Sequence, residues 1–447
     1  MTGTSSPSTI STKLQQVAEL AKGAPELVFT TLAHHIDIEW LREAYRRTRK
    51  DGATGVDGQT AEEYAEHLEE NLQLLLDRLQ SGTYRAPAVR RAYIPKGDGR
   101  KLRPLGIPTF EDKVLQRAVA MLLTAVYEQD FLDCSYGFRP KRSAHQALEV
   151  LWKRLMDMKG AVVIDLDIQG YFDTVEHAQL RRILDQRVRD GVLRRTIDKW
   201  LHAGVLEDGA LRYPEAGTPQ GGVISPVLAN VYLHEVLDQW FAVIVKPRLE
   251  GDAFLIRYAD DAVLVFASER DARRVLAVLP KRFGRYGLTL HPEKTRLIDF
   301  RQPRTSRGRR GERPGSFALL GFTHYWGRSH RGRWVVKRKT ASERLTRAIK
   351  AVRQWCRAHR HEPIAEQQKV LGQKVRGHCR YYGITGNAGA LGCFHNAVVR
   401  AWRTWLARRA QQRHMPWERF KRLLQRYPLP PPVAFHSVAR AAARPCA

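Results

Sequence analysis

At 447 residues, with 43% hydrophobic and 27% charged residues, the chain has the composition of a globular protein large enough for two to four domains. No apolar run approaches the ~20 residues needed to cross a bilayer, and the opening MTGTSSPSTISTKLQQ lacks both the apolar stretch of a secretory signal and the arginines of a transit peptide. A membrane partner is therefore not expected, and a cytoplasmic location is. The formal net charge of +29 is unevenly spread: residues 301–447 hold 33 Lys and Arg against 5 Glu and no Asp, whereas the first 300 residues are nearly neutral. A basic block of this size, interleaved with Trp326, Trp334, Trp355, Tyr381, Tyr382, Trp402, Trp405 and Trp417, is the electrostatic footprint of nucleic-acid binding.

In chain order, residues 1–25 are expected to be disordered. The pattern from about 38 to 80 is helical and ends at Gly82 as a C-cap. YRAPAVRRAYIPKGDGRKLRPLGIPT, with Gly97 and Gly99 at its turn, predicts a hairpin, and 111–132 a helix. In the next helix Ser143 and Gln146 have capping-box spacing, and Ala147, Leu148, Leu151, Trp152 and Leu155 form one apolar face. AVVIDLDIQGYF (161–172) is a strand carrying Asp165 and Asp167; helix fills roughly 177–203; GTPQGGVISPVLANVYLHEVLDQW (217–240) is a glycine-rich loop running into a helix. An arginine-rich loop spans 301–316, and past 340 the sequence reads all-helical, with Leu345, Ile349, Val352 and Cys356 on one face of the first helix. Strands and helices mixed in this way make the part before 340 α/β or α+β. Five cysteines, at 134, 356, 379, 393 and 446, include no C-x2-C pair, which points to free thiols in a reducing compartment. His378, Cys379, Cys393 and His395 are read as packing residues.

The stretch FLIRYADDAVLVF (254–266) sets two adjacent acids, Asp260 and Asp261, between short runs of strand-forming residues. A hairpin with its tip at 259–261 follows, without the Asn-Gly or Asp-Gly that an ordinary tight turn prefers. Such acids mark either a solvated turn or a strained functional one. Asp167 at the end of another strand could join them in holding Mg²⁺, which is bound by carboxylates together with phosphate oxygens and water. Two such ions ~3.5–4 Å apart serve phosphoryl transfer. This requires the two strands to be neighbours, which spacing alone does not decide.

YADD resembles the Y-x-D-D box of reverse transcriptases, and DIQGYFDTV their first palm motif. IPKGDGRKLRPLGIPT, DCSYGFRPKRSAHQAL, TPQGGVISPVLANVYL and GHCRYYGITGN resemble, in chain order, further blocks of bacterial group II intron-encoded reverse transcriptases and maturases. The likeness runs from about residue 30 to 435. It implies right-hand polymerase-like fingers and palm with an antiparallel palm sheet, followed by an all-helical basic thumb. The implied domains are a helical N-terminal extension at 26–80, fingers and palm at 81–335, a thumb or maturase domain at 336–410, and a short basic DNA- or RNA-binding tail at 411–447.

By position, the resemblance makes Asp167, Asp260 and Asp261 the catalytic acids holding two Mg²⁺ ions, with Asp165 in support, and Lys294 the proton donor to leaving pyrophosphate. Phe172 becomes the wall that rejects a ribose 2′-hydroxyl, Gln220 the residue packed on the nascent base pair, and Lys96 and Arg103 the grip on the triphosphate. Arg344, Arg347 and Arg353 become RNA contacts. The implied partners are group II intron RNA, an RNA template/DNA primer duplex, target DNA and dNTPs, with a homodimer as one option, in a bacterial cytoplasm. The implied function is RNA-directed DNA polymerase and splicing maturase during retrohoming. A domesticated reverse transcriptase in defence or DNA repair, or a splicing-only maturase, remains an alternative. The sequence ends at AAARPCA without an H-N-H endonuclease pattern, so mobility would be expected to need another source of primer.

Overall fold

The computed structural model describes residues 10–96, 101–158, 160–207, 210–213, 221–303, 315–409 and 415–436. The Gly97–Gly99 turn, Gln220, most of the arginine-rich loop and the last eleven residues lie outside them. The chain divides into two compact units, one of residues 1–147 and 163–297, the other of 148–162 and 298–447.

In the first unit the helix Phe110–Asp130 is the central element, capped by the Thr109 side chain accepting from Asp112 N–H. A two-stranded ribbon of β1 (Val89–Lys96) and β2 (Lys101–Ile107) pairs antiparallel, Lys96 opposite Lys101 and Arg103 opposite Ile94. A second sheet contains β3 (Gly160–Leu166), whose alternation is suppressed because nearly every residue is buried. The ribbon is extended by β4 (Val205–Glu207), parallel to β1, and then β5 (Ala210–Arg212), giving the order β2-β1-β4-β5. The antiparallel hairpin β6 (Ala253–Tyr258) and β7 (Asp261–Phe266) pairs Tyr258 with Asp261. It joins β3 and β8 (Arg296–Arg301) in the order β6-β7-β3-β8, so the strand leading to Asp167 and the strand opening at Asp261 are neighbours.

Residues 10–23 are not disordered: Ile10–Gly23 is a helix packed on Phe110–Asp130, with Val17 and Ala21 buried. The C-terminal carbonyls that such a helix leaves free are met from far along the chain. Arg187 donates to Ala21 O, Ala24 O and Leu27 O at 2.6–2.9 Å while pairing with Asp130.

The second unit opens with a three-stranded meander of β9 (Phe317–Leu319), β10 (Phe322–Arg328) and β11 (Trp334–Thr340), with β10 in the middle. The helices Ser342–Ala358, Ile364–Tyr382, Ala388–Ala407 and Trp417–Arg426 follow. Their core is built from Val352, Cys356, Leu371, Val375, Cys379, Trp402 and Phe420. Leu345 and Ile349 pack against it, as the apolar face of the first helix predicts. The boundary at 335/336 therefore needs correction, because it cuts through β11, and the meander groups with the helices rather than with the first unit. The region from 336 is accordingly not all-helical. The 411–447 segment is not simply a tail either, since Phe420 of Trp417–Arg426 is fully buried in the helical core. The GITGN segment ties strand to helices: the Asn387 side chain accepts from Thr340 N–H at 2.9 Å and donates to Thr340 Oγ1 and Tyr382 O, both at 2.8 Å.

Candidate functional site

The β6–β7 tip is a two-residue turn, Ala259–Asp260, in which Ala259 takes the left-handed conformation with φ +57°. Glycine is the usual residue at such a position; a Cβ there is strained. The strain is held by Arg257, which is 0% exposed. Its guanidinium donates to the Ala259 carbonyl at 3.0 Å, to Asn230 Oδ1 at 2.9 Å, and in a fork to Asp238 Oδ1 and Oδ2 at 2.8 and 2.5 Å. Burial alone would push the Asp238 carboxyl up; the Arg257 charge and its hydrogen bonds outweigh that and hold it below the usual carboxylate range. Asp238 lies where the helix Ser225–Leu233 widens into i→i+5 turns over His234–Val245, a rare form concentrated at functional sites.

The segment CSYGFRP locks the other side of the tip. Arg257 N–H donates to Cys134 O and Tyr136 N–H to Arg257 O, at 2.8 and 2.9 Å. Gly137 lies so close that a Cβ there would sit 2.3 Å from Ala259 N, and Asn230 Nδ2 donates to the Gly137 carbonyl at 2.7 Å. Arg139, buried, folds back to donate to Leu132 O and Ser135 O at 2.7 and 2.9 Å. Three separate sequence blocks therefore converge on one turn.

Asp167 follows β3 directly. Backbone pairing with 289–291 continues beyond the strand: Gln169 N–H donates to Thr289 O and His291 N–H to Asp167 O, both at 2.8 Å. This brings in Lys294, whose Nζ lies 3.3 Å from both Asp167 oxygens. Asp165 pairs with Arg296 at 3.4 Å; burial raises its carboxyl pKa, only partly opposed by that arginine. Tyr171, buried, donates to Ala229 O at 2.7 Å, and its hydroxyl pKa is pushed well up by burial, with Asp260 among the charges that act on it. Phe172 is half-buried on the short helix Tyr171–Thr174, its ring 5.3 Å from that of Tyr171.

Asp167 and Asp260 are half-buried and Asp261 is exposed. Among the described residues no three His, Cys, Asp or Glu side chains converge as a ready metal cage. The donor set nonetheless fits a hard dication that keeps one or two carboxylates and takes its remaining ligands from phosphates and water.

Lys96 and Arg103 stand on opposite strands of the β1–β2 ribbon, two residues apart along the ladder; Arg103 is exposed. Gln220 itself is outside the described residues, but Gly221 beside it has φ +122° and a Cβ there would lie 2.6 Å from Gly106 O of β2, a close approach that only glycine permits. The loop after it hangs on Gln116, whose Oε1 accepts from Val223 N–H at 2.8 Å and whose Nε2 donates to Asp112 at 3.1 Å. Asp112 is fully buried, and burial raises its pKa to about 6 despite hydrogen bonds from Tyr84, Trp200 and Gln116.

In the second unit Arg344 and Arg353 are exposed, whereas Arg347 is half-buried, and both Arg344 and Arg347 act on the Tyr382 hydroxyl. Sequence reading did not single out Arg257, Asp238, Asn230, Gly137, Gln116 or Asp112. The available signal was a charged or polar residue inside an otherwise apolar run, present for Arg257 in FLIRY and Asp238 in HEVLDQW.

Residues 94–324 match the model of the reverse transcriptase (RNA-dependent DNA polymerase) family. The chain belongs to that family. Within it, the chain is 35% identical over 298 residues to Protein YkfC of Escherichia coli strain K12, covering 58% of this chain and 76% of the relative. It is 37% identical over 227 residues to the group II intron-encoded protein LtrA of Lactococcus lactis subsp. cremoris, covering 50% of this chain and 37% of the relative. An uncharacterized 91 kDa protein in the cob intron of Schizosaccharomyces pombe is 30% identical over 239 residues, 53% of this chain and 29% of the relative. The match thus spans three quarters of one relative but only about a third of the other two.

Proposed function

We propose that this chain copies RNA into cDNA at the junction of β3 and the β6–β7 tip, and that it binds group II intron RNA and assists its splicing. The observation that carries the polymerase reading is the adjacency of β7 and β3 in one sheet. Asp167 directly follows β3, Asp261 opens β7, and Asp260 sits in the turn just before it. Asp167, Asp260 and Asp261 would hold two Mg²⁺ ions, which activate an attacking 3′-hydroxyl and stabilise the leaving oxygen.

The chain's own residues divide the remaining work. Lys96 and Arg103 bind the triphosphate of the incoming dNTP, Arg103 through its planar fork. Phe172 sits against the sugar and excludes a 2′-hydroxyl. Gln220, next in sequence to Gly221, packs on the new base pair. Lys294 holds a proton for pyrophosphate; its ion pair with Asp167 keeps it within the site. Arg257 and Gly137 fix the turn that aims Asp260.

In the polymerase description, the β1–β2 ribbon belongs to the fingers, the β6-β7-β3 sheet to the palm, and the four helices from Ser342 to a thumb and maturase region. There Arg344, Arg347 and Arg353 face an RNA/DNA duplex or intron RNA through backbone and shape. Retrohoming into a DNA target is the biological use this reading implies. Primer extension by the purified chain on an RNA template with dNTPs and Mg²⁺ tests it: wild type extends and Asp260→Ala does not. Absence of extension by wild type, with tight RNA binding retained, would favour a splicing-only maturase.

A further inference from the structure

A second feature stands apart from the carboxylate site. At the far end of the β10–β11 hairpin, away from the Leu320–Gly321 turn, lies a groove of 620 Å³ lined by Trp326, Trp334, Arg328, Arg331, Arg333 and Met156, among others. That volume is in the range of small-ligand sites, 300–1,000 Å³.

Its walls follow from strand geometry. Arg328 pairs with Trp334 across the ladder, and Trp326 lies two residues before Arg328, so all three stand on one face. The Arg328 guanidinium lies 4.1 Å from the centre of the Trp334 ring, within cation–π range. Trp326 forms the floor, buried, its indole N–H donating to Phe300 O at 2.8 Å. The tip is closed by Ser329 N–H to Arg333 O, Gly332 N–H to Ser329 O and Arg328 Nη1 to Gly332 O, at 2.7–3.0 Å. Gly332 supplies the left-handed residue that the turn requires, with φ +73°.

The charge is one-sided. Arg328, Arg331 and Arg333 are exposed, and among the described residues no carboxylate pairs with any of them. A hairpin stapled for stability alone would use Arg328 on Trp334; it would not need two more bare arginines beside a preformed groove. Flat indole and guanidinium faces beside unneutralised positive charge fit unstacked bases and their phosphates. A duplex already stacks its bases on each other and cannot offer those faces.

We propose that this groove docks unpaired nucleotides of the bound RNA. The inference rests on the reading of RNA as this chain's partner, and it adds a site outside the polymerase residues. The bases stack on Trp334 and Arg328, and the phosphates lie against Arg331 and Arg333.

The test uses the full chain, a short unstructured RNA oligonucleotide carrying 4-thiouridine, a duplex RNA and a single-stranded DNA of the same sequence. The charge reversals Arg331→Glu and Arg333→Glu together should weaken binding of the unstructured RNA about tenfold or more and lower its salt dependence by about two counterions. Trp334→Ala should weaken it severalfold while Trp334→Phe restores it, and the cross-link should map to the 326–334 peptide. Affinity for duplex RNA, and nucleotide addition to a preformed primer duplex, should stay within about twofold of wild type in each variant.

Unchanged affinity for unstructured RNA, or a cross-link elsewhere, overturns the site. An equal loss on duplex RNA reduces it to a general basic surface, and equal competition by the DNA overturns the assignment to RNA. Loss of RNA affinity in these variants from a wild-type chain that extends no primer would leave the groove standing and remove only the polymerase reading.

Discussion

The two units handle charge in opposite ways. In the first, three acids around the candidate site are buried or half-buried and each meets a cation: Asp238 with Arg257, Asp165 with Arg296, Asp167 with Lys294. In the second, Arg344 and Arg353 are exposed and, among the described residues, meet no carboxylate. Paired, desolvated charge fixes atoms in place, which chemistry needs. Bare surface arginine is adaptable and salt-sensitive, which binding to a phosphate backbone uses. A substitution in the first unit should therefore act through geometry and one in the second through charge count.

The largest expected effect comes from removing the brace of the carboxylate turn. Arg257→Met leaves Asp238 buried without its partner, a change that costs about 3–5 kcal/mol, and frees the Ala259 carbonyl. Arg257→Lys keeps the charge but loses the fork. The lysine variant should stay folded by circular dichroism and bind template–primer normally, yet lose roughly tenfold or more in the rate of nucleotide addition. Gly137→Ala should behave similarly, since its Cβ meets backbone on the turn. Full activity in both would show that the brace does not aim the site.

Reversing Arg344 and Arg353 to Glu should weaken RNA binding by about tenfold at moderate salt and flatten its salt dependence, each lost phosphate contact removing about 0.9 from the log–log slope on duplex. Folding should be unaffected because both side chains are exposed. A drop in catalytic rate at saturating RNA would blur the division between the units. Smaller and more selective is Phe172→Val, which should raise ribonucleotide incorporation relative to deoxynucleotide with little change in dNTP use, read by single-nucleotide addition. An unchanged preference would remove Phe172 from the sugar-binding role.

The last effect concerns pH and bears on stability, not on activity. His324 is fully buried, stacked on Phe317 with ring centres 4.8 Å apart, and neither ring nitrogen has a hydrogen-bond partner among the described residues. Burial, and then Arg338, lower its pKa from 6.5 to about 3. The unfolded chain takes up a proton below pH 6.5 and the folded one does not until about pH 3. Stability is therefore lost as pH falls through that window, at up to about 1.4 kcal/mol per unit. His324→Phe should narrow the gap between thermal midpoints measured at pH 7.5 and pH 5. An unchanged gap would assign the acid sensitivity to other groups.

Much of the fold was legible where the determinants are local. The short runs of strand-forming residues on either side of the two acids gave the hairpin, the apolar run before Asp167 gave its strand, and Ser143 does accept from Gln146 N–H at 3.3 Å. What stayed hidden depends on contacts distant in sequence. The helix Ile10–Gly23 looks too polar to persist, and its end is satisfied by Arg187, more than 160 residues away. The meander groups with the helices through ties such as Asn387 to Thr340, which periodicity does not reveal. The site was legible as a set of acids, because two aspartates in an apolar run stand out. Its support was not, because Arg257 looks like a lapse in a buried strand until Asp238, Asn230 and Ala259 are seen around it.

The most direct test measures two quantities on two variants: nucleotide addition on an RNA template, and RNA affinity across a salt series, for Asp260→Ala and for the Arg344→Glu/Arg353→Glu pair. Asp260→Ala should abolish addition and leave affinity within about twofold, while the arginine pair should lose affinity and salt dependence but keep its rate at saturating RNA. If each variant impairs both quantities to the same degree, the separation of chemistry from binding is contradicted.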